Sequence, residues 1–323
     1  YLQTIMERRK FLSNSSLALL AAGTIGTQRL NATTKAVRKF KIALNPGIIG
    51  VKANLAQTLD YAIAYGYETI PPFVEEVMQD YSPAEIADLK DKMKASGIGF
   101  GSTNLPVAFR EDNRNFLEDF RKLESFCKTM EKLGATRINT WIISSHNSLT
   151  YNENMKQHAY RLGECARVMK DYGIRLGLEY LGTRPLLIQN KYPFISTMKE
   201  GQELIAATGH SNVGFVLDSF HWYTANDNKE DILKLKAEDI VVVDINDARK
   251  GFSREAQVDL KRELPLATGV INLKAFMEGL VAIGYDGPIR TEPFNQILND
   301  MGNEAALQTN KEAINKVLAL VNL

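Results

Sequence analysis

Six glycines punctuate this chain at points where a helix-like stretch gives way to a short apolar run: Gly66, Gly97, Gly134, Gly173, Gly209 and Gly284. The residue after a helix's last turn adopts a left-handed conformation that a Cβ penalises, so glycine marks helix ends. The intervals between these glycines are 31, 37, 39, 36 and 75 residues. A strand, helix and return occupy roughly 30 residues or more, so the last interval holds two units, one ending without glycine near Asp239. Short runs rich in Val, Ile and aromatic residues predict strands over 40–45, 67–70, 98–102, 137–142, 175–180, 213–217, 240–245 and 288–291. Helices are predicted over 55–65, 83–96, 116–133, 155–172, 198–207, 229–236, 273–283 and 304–321. The clearest start signal is Ser82-Pro83-Ala84-Glu85, a capping box with proline at the first helical position.

Alternating strands and helices, with no two strands adjacent in sequence, imply a parallel sheet. An open doubly wound sheet is the alternative, but eight strands favour closure into an α/β (β/α)8 TIM barrel. One domain over 36–323 fits the size of that barrel, typically about 250 residues.

Acidic residues stand where four of the apolar runs end. Glu179 closes 175–179, Asp218 closes 213–218, Asp244 follows 240–243, and Glu292 follows 288–291. If these runs are staves of one barrel, the four carboxylates converge on its mouth, an arrangement suited to a divalent metal ion.

The N-terminal stretch around Met6-Glu7-Arg8-Arg9-Lys10-Phe11-Leu12 is a twin-arginine signal pattern. The mildly apolar segment 17–25 behind it is too short to span a bilayer. Residues 1–35 are therefore expected to be an upstream extension and signal peptide, with 1–5 preceding the initiator Met6 and cleavage near 30–32. Periplasmic localisation and no membrane insertion after processing follow. Removing residues 1–32 turns the net charge from +1 into −2, with 35 basic against 37 acidic side chains. That balance gives no electrostatic footprint for nucleic acid. Cys127 and Cys165 fall on predicted helices and read as buried small hydrophobes. No glycine-rich phosphate loop follows the first strand.

Leu178-Glu179, Leu217-Asp218-Ser219-Phe220-His221, Asp244-Ile245-Asn246-Asp247 and Arg290-Thr291-Glu292-Pro293-Phe294 resemble the xylose isomerase-like sugar isomerase/epimerase family. So do Leu264-Pro265, Gly269-Val270-Ile271 and Gly284-Tyr285-Asp286-Gly287-Pro288. The resemblance covers nearly all of the chain after the leader. It implies one divalent ion held by Glu, Asp, His and Glu from strands five to eight, of which three map onto Glu179, Asp218 and Glu292. The His position is occupied by Asp244, with Asp247 retained. Four carboxylates around one dication leave a formal charge of −2, costly in a partly desolvated site unless one is protonated or paired with Arg249. Asp244 either coordinates, favouring Mn²⁺ or Mg²⁺ over Zn²⁺, or orients a bound water; Mn²⁺ is the expected ion, with Mg²⁺, Co²⁺ and Zn²⁺ as alternatives.

A site of this kind removes a proton from a carbon beside a carbonyl and stabilises the enediolate. Glu179 and Glu292, three staves apart, are the expected proton-transfer pair. His221 is expected at a substrate hydroxyl or carbonyl, with a purely structural histidine as the alternative, and His146 is a second candidate. His158 and His210 are expected to be structural or exposed. Glu68, Asn104, Asn139, Arg184 and Arg249 are placed at the mouth as hydroxyl binders, and Trp141, Phe220, Trp222 and Phe294 as apolar faces. The polar segment 250–269 reads as a lid or as a solvated excursion.

Export and the missing phosphate cradle point to an unphosphorylated carbohydrate. The expected activity is that of a Mn²⁺-dependent isomerase or epimerase. A lyase or hydratase acting on an oxidised 3-keto sugar or glycoside is the runner-up, and a non-catalytic sugar-binding protein the reading from another class. Barrels of this kind often form homo-oligomers, but one chain shows no legible interface.

Overall fold

The computed structural model describes residues 38–322, so the predicted leader over 1–35 lies outside the described residues. The strands are β1 (Lys41–Ile42), β2 (Thr69–Ile70), β3 (Gly99–Phe100), β4 (Thr103–Asn104), β5 (Arg137–Ile142), β6 (Ser145–His146), β7 (Arg175–Tyr180), β8 (Tyr192–Pro193), β9 (Val213–Asp218), β10 (Ile240–Asp244) and β11 (Pro288–Arg290). Seven form one parallel sheet in the order β1-β11-β10-β9-β7-β5-β4. β2 pairs in parallel with β3, and a parallel bridge from Ala43 to Thr69 ties β1 to β2. The chain passes from β3 through Gly101 and Ser102 into β4, so the third stave is split and the ring closes with eight. β6 and β8 form a short antiparallel pair that the sequence did not announce.

The punctuation has its expected cause. All six glycines have φ between 65 and 80°, and Gly97 and Gly134 return their N–H groups to Lys94 and Glu131 of the helices they end. The unit without glycine ends in a 3-10 turn, Ala237–Asp239, that feeds β10. The helices Leu55–Tyr65, Pro83–Ser96 and Met198–Ala207 have the predicted bounds. Two begin earlier than predicted because polar caps lie ahead of the first apolar residue. Asp112 accepts the N–H groups of Arg114 and Asn115 and starts Asn113–Leu133. The Thr150 N–H donates to Glu153 and starts Tyr151–Lys170. Cys127 and Cys165 are buried and unbridged. Among the described residues no helix is long and apolar enough to cross a membrane.

β9 and β10 are buried along their whole length, as strands covered on both faces must be. The lumen is not wholly apolar. Arg290 on β11 donates to Ser102 Oγ at 3.0 Å and to Asn139 Oδ1 at 3.5 Å, while Asn139 Nδ2 donates to Asn104 Oδ1 at 3.0 Å. A polar layer thus underlies the mouth.

Candidate metal and proton-transfer centre

Parallel staves carry their last residues to one face, and here that face gathers the four predicted carboxylates. Glu179, Asp218 and Asp244 lie on β7, β9 and β10, and Glu292 sits two residues past β11. One carboxylate oxygen of each lies within 4.8 Å of the others. Asp218 and Asp244 are fully buried, and the Glu179 and Glu292 side chains retain 12% and 16% exposure.

Each acid has a distinct environment. Asp244 is held at both oxygens by Arg290, with Nε at 2.7 Å and Nη2 at 3.1 Å. Asp218 Oδ1 accepts the Phe220 N–H at 2.7 Å, and Asn246 Nδ2 donates to both of its oxygens at 3.0 and 3.2 Å. The Asn246 carbonyl oxygen Oδ1 meanwhile accepts the Glu292 N–H at 2.8 Å, so one buried amide positions two acids. Glu179 Oε1 is buried with no hydrogen-bond partner.

A cation that sequence reasoning missed stands among them. Arg262, from the segment 250–269, donates through Nη1 to Asp218 Oδ2 at 2.6 Å and to Glu292 Oε2 at 3.0 Å, and through Nη2 to Asp259 Oδ1 at 2.6 Å. Its guanidinium carbon lies 4.9 Å from the Phe220 ring centre and 4.8 Å from that of Phe294, which fixes the fork between two aromatic rings. Asp247 anchors the base of the segment, accepting backbone N–H groups from Ala248, Thr268, Gly269 and Ile271 at 2.7–3.0 Å.

His221 is fully buried beside the acids, with Nε2 3.2 Å from Asp259 and 3.9 Å from Glu179. Its Nε2 also lies 2.9 Å from Arg262 Nη2, and the Gly182 N–H donates to its Nδ1 at 3.1 Å. That approach needs glycine, because a Cβ at 182 would stand 2.5 Å from the His221 carbonyl oxygen.

Burial drives the carboxylate chemistry. It pushes Glu179 well above the usual carboxylate range, with repulsion from Glu292 and Asp218 adding to it. Burial also raises Glu292 to about 7, against the opposing pull of Arg262. Asp244 is raised by burial too, and Arg290 limits the rise. Asp259 is held low despite burial by its contacts to His221 and Arg262.

The remaining predicted residues divide. Trp141, 41% exposed, stands at the mouth, its Cα paired in register with Glu179. Phe220 and Phe294 flank Arg262. Glu68 does not reach the site: it begins its stave, at the opposite end of the barrel from the mouth, and there it binds Arg38 at 2.7 and 2.8 Å and the Ile42 N–H. Trp222 packs into the core against Phe276 at 5.4 Å. Arg249 does not pair with any of the four acids but stacks on Phe252 at 3.9 Å; Arg290 and Arg262 are the cations that pair with them. Arg184 is exposed at the start of the short helix Arg184–Leu187. His146 lies on β6, where its Nδ1 accepts the N–H groups of Ser148 and Leu149, and lines a separate cavity.

The family model of the xylose isomerase-like TIM barrel matches residues 59–317. The chain belongs to that family. An inosose isomerase from Bacillus velezensis is 24% identical over 282 residues, covering 87% of this chain and 98% of that one. A xylose isomerase domain protein from Alicyclobacillus acidocaldarius superposes with a TM-score of 0.76 at 28% identity, covering 87% of this chain and 99% of that one. The IOLI protein, solved with a bound zinc atom, gives 0.72 at 24%, covering 87% and 98%.

The residues of this family member fit a divalent ion. Once Glu179 and Glu292 release their protons, the four acids carry four negative charges against two from Arg290 and an Arg262 that is shared with Asp259, and an orphaned buried oxygen on Glu179 faces no protein donor. A dication balances that charge and gives the oxygen a partner.

Proposed function

We propose that the mouth binds one divalent metal ion, Mn²⁺ by preference, on Glu179, Asp218 and Glu292, and interconverts unphosphorylated sugars or keto-sugars as an isomerase or epimerase. The observation that carries this reading is the pair Glu179 and Glu292. Glu179 is buried and Glu292 partly buried, both are raised toward neutrality by desolvation, and they come from staves on different sides of the mouth. A carboxyl whose pKa lies near the working pH can both accept and return a proton.

The bound ion would polarise neighbouring substrate oxygens and so acidify the intervening C–H bond. One of the two glutamates then removes that proton and the other delivers one to the neighbouring carbon or to the opposite face. Asn246 holds the Glu292 backbone and the Asp218 carboxylate in one geometry. Arg262 brings fixed positive charge to oxygens that become negative, and His221 packs against Arg262 and Asp259 beside them. Asp244 anchors Arg290 through both of its oxygens. The site's acidity, the absence of a phosphate cradle in the sequence, and the Arg8-Arg9 leader together support an exported enzyme acting on uncharged sugar carbons.

Incubating the Mn²⁺-loaded protein with a panel of free sugars, inososes and 3-keto-glycosides, followed by NMR of the products, tests this. An epimer or ketose supports the proposal. An unsaturated or hydrated sugar assigns the same proton abstraction to a lyase or hydratase, and no conversion with metal bound contradicts both.

A further inference from the structure

The mouth has a cation of its own. Arg262 Nη1 bridges Asp218 Oδ2 at 2.6 Å and Glu292 Oε2 at 3.0 Å, and these are two of the three acids assigned above to a metal ion. With that contact made, Asp218 has no acceptor capacity to spare. A carboxylate offers about four lone-pair positions. Oδ1 accepts the Phe220 N–H at 2.7 Å and Asn246 Nδ2 at 3.0 Å, while Oδ2 accepts Asn246 Nδ2 at 3.2 Å and Arg262 Nη1.

These three donors differ in their freedom to leave. The Phe220 N–H belongs to the backbone of the helix Ser219–Thr224. Asn246 is fixed by Ser219, whose Oγ accepts its N–H at 2.8 Å and donates to its carbonyl at 3.0 Å. Arg262 alone comes from the segment 250–269, whose regular structure is one 3-10 turn, Arg254–Ala256. That segment wraps its own arginine: Nε donates to the Asp259 carbonyl at 2.9 Å and Nη2 to Asp259 Oδ1 at 2.6 Å. Residues 259–262 therefore form one unit, held down on the barrel through Asp218, Glu292 and His221. The next residue, Glu263, is pinned to Asp247 by paired backbone hydrogen bonds of 2.9 Å, which sets a hinge beside the unit.

We propose that Arg262 and a divalent ion compete for Asp218 and Glu292, so that metal loading expels the guanidinium and lifts the 259–262 turn from the mouth. The inference rests on the metal reading above. Both cations need the same carboxylate lone pairs, and two cations sharing two oxygens repel at short range in a buried site. The guanidinium leaves in the company of Asp259, so its charge stays paired. Segment 250–269 is then a lid latched by Arg262, and the metal enters before the substrate.

Calorimetric Mn²⁺ titration and chymotrypsin digestion of the chelated full chain at pH 8 test it, on wild type and Arg262→Met, with thermal melting to check that the variant folds. Phe252 and Leu260 are exposed, so cleavage after them reports release of the segment. Saturating Mn²⁺ is expected to speed that cleavage several-fold in wild type, against the protection that binding to a folded protein ordinarily gives. In Arg262→Met the cleavage is expected to be fast before metal is added and no faster after it. Mn²⁺ should bind the variant about tenfold more tightly than wild type, since no charge-assisted contact has to be broken. Wild-type cleavage that bound Mn²⁺ slows or leaves unchanged overturns the proposal and leaves the metal reading standing, as does a Mn²⁺ affinity that falls in the folded variant. No Mn²⁺ binding to either protein overturns the metal reading and this inference with it.

Discussion

Arg290 closes both oxygens of Asp244 in a buried two-point ion pair, Nε to Oδ1 at 2.7 Å and Nη2 to Oδ2 at 3.1 Å. Where the family resemblance expects a histidine ligand, this chain carries an acid already matched by a guanidinium two residues before Glu292. Removing one partner strands a buried charge, a loss of about 3–5 kcal/mol. Asp244→Ala and Arg290→Met should each show that loss in denaturant unfolding, and the double variant should recover a large part of it. Divalent-metal affinity should fall far less in Asp244→Asn than in Glu179→Gln; an equal fall would place Asp244 among the ligands.

Asn246 ties Asp218 to Glu292 through three hydrogen bonds of 2.8–3.2 Å. Outer partners of metal-binding carboxylates typically contribute about 10–100-fold to affinity. Asn246→Ala should weaken Mn²⁺ binding by that order in a titration while the circular dichroism spectrum is retained. Wild-type affinity in the variant would mean that the amide has only a structural role.

Asp247 binds four backbone N–H groups within and flanking the segment that delivers Arg262. Asp247→Ala leaves buried donors unpaired, at about 1–3 kcal/mol for each group not rescued by water. Limited proteolysis should then cut within 250–269 much faster than in the wild type. A cleavage rate unchanged from wild type would show that other contacts hold the segment.

The raised carboxyls of Glu179 and Glu292 fix a sign for pH. Their folded-state pKa values lie above the unfolded ones, so in the metal-free protein these two groups hold more protons folded than unfolded above about pH 4.5. Their contribution to stability is present in acid and is lost as pH rises through about 7, while Asp259, held low by its partners, contributes in the opposite sense at more acid pH. Mn²⁺ competes with these protons, so its affinity should increase over the same interval and its presence should flatten the decline. Melting curves at pH 5 and pH 8, with and without Mn²⁺, measure both effects.

Much of this was legible because strand ends write the mouth into the sequence. Glu179, Asp218, Asp244 and Glu292 each follow an apolar run, and side chains at stave ends must meet at one rim. Glu68 misled because it begins a stave, where the same residue type faces the opposite end of the barrel. Arg262 was invisible because 250–269 has no periodicity, and nothing local separates a buried arginine in a polar loop from its solvated neighbours. Arg290 left a trace: a charged residue within a buried three-residue strand demands a counter-charge, and Asp244 on the adjacent stave was available. Trp222 went to the core because the helix Ser219–Thr224 turns it away from the mouth, a turn that the strand-end pattern does not encode.

The central claim is that buried carboxylates move a proton on a sugar carbon at a metal-loaded mouth. Deuterium wash-in from D₂O into a converted or bound keto-sugar, followed by NMR in the Mn²⁺-loaded protein, the chelated protein and Glu292→Gln, tests it most directly. The account predicts incorporation beside the carbonyl with metal present, and loss of that incorporation on chelation and in the variant. Conversion without any deuterium uptake, or uptake unaffected by Glu292→Gln, would contradict it.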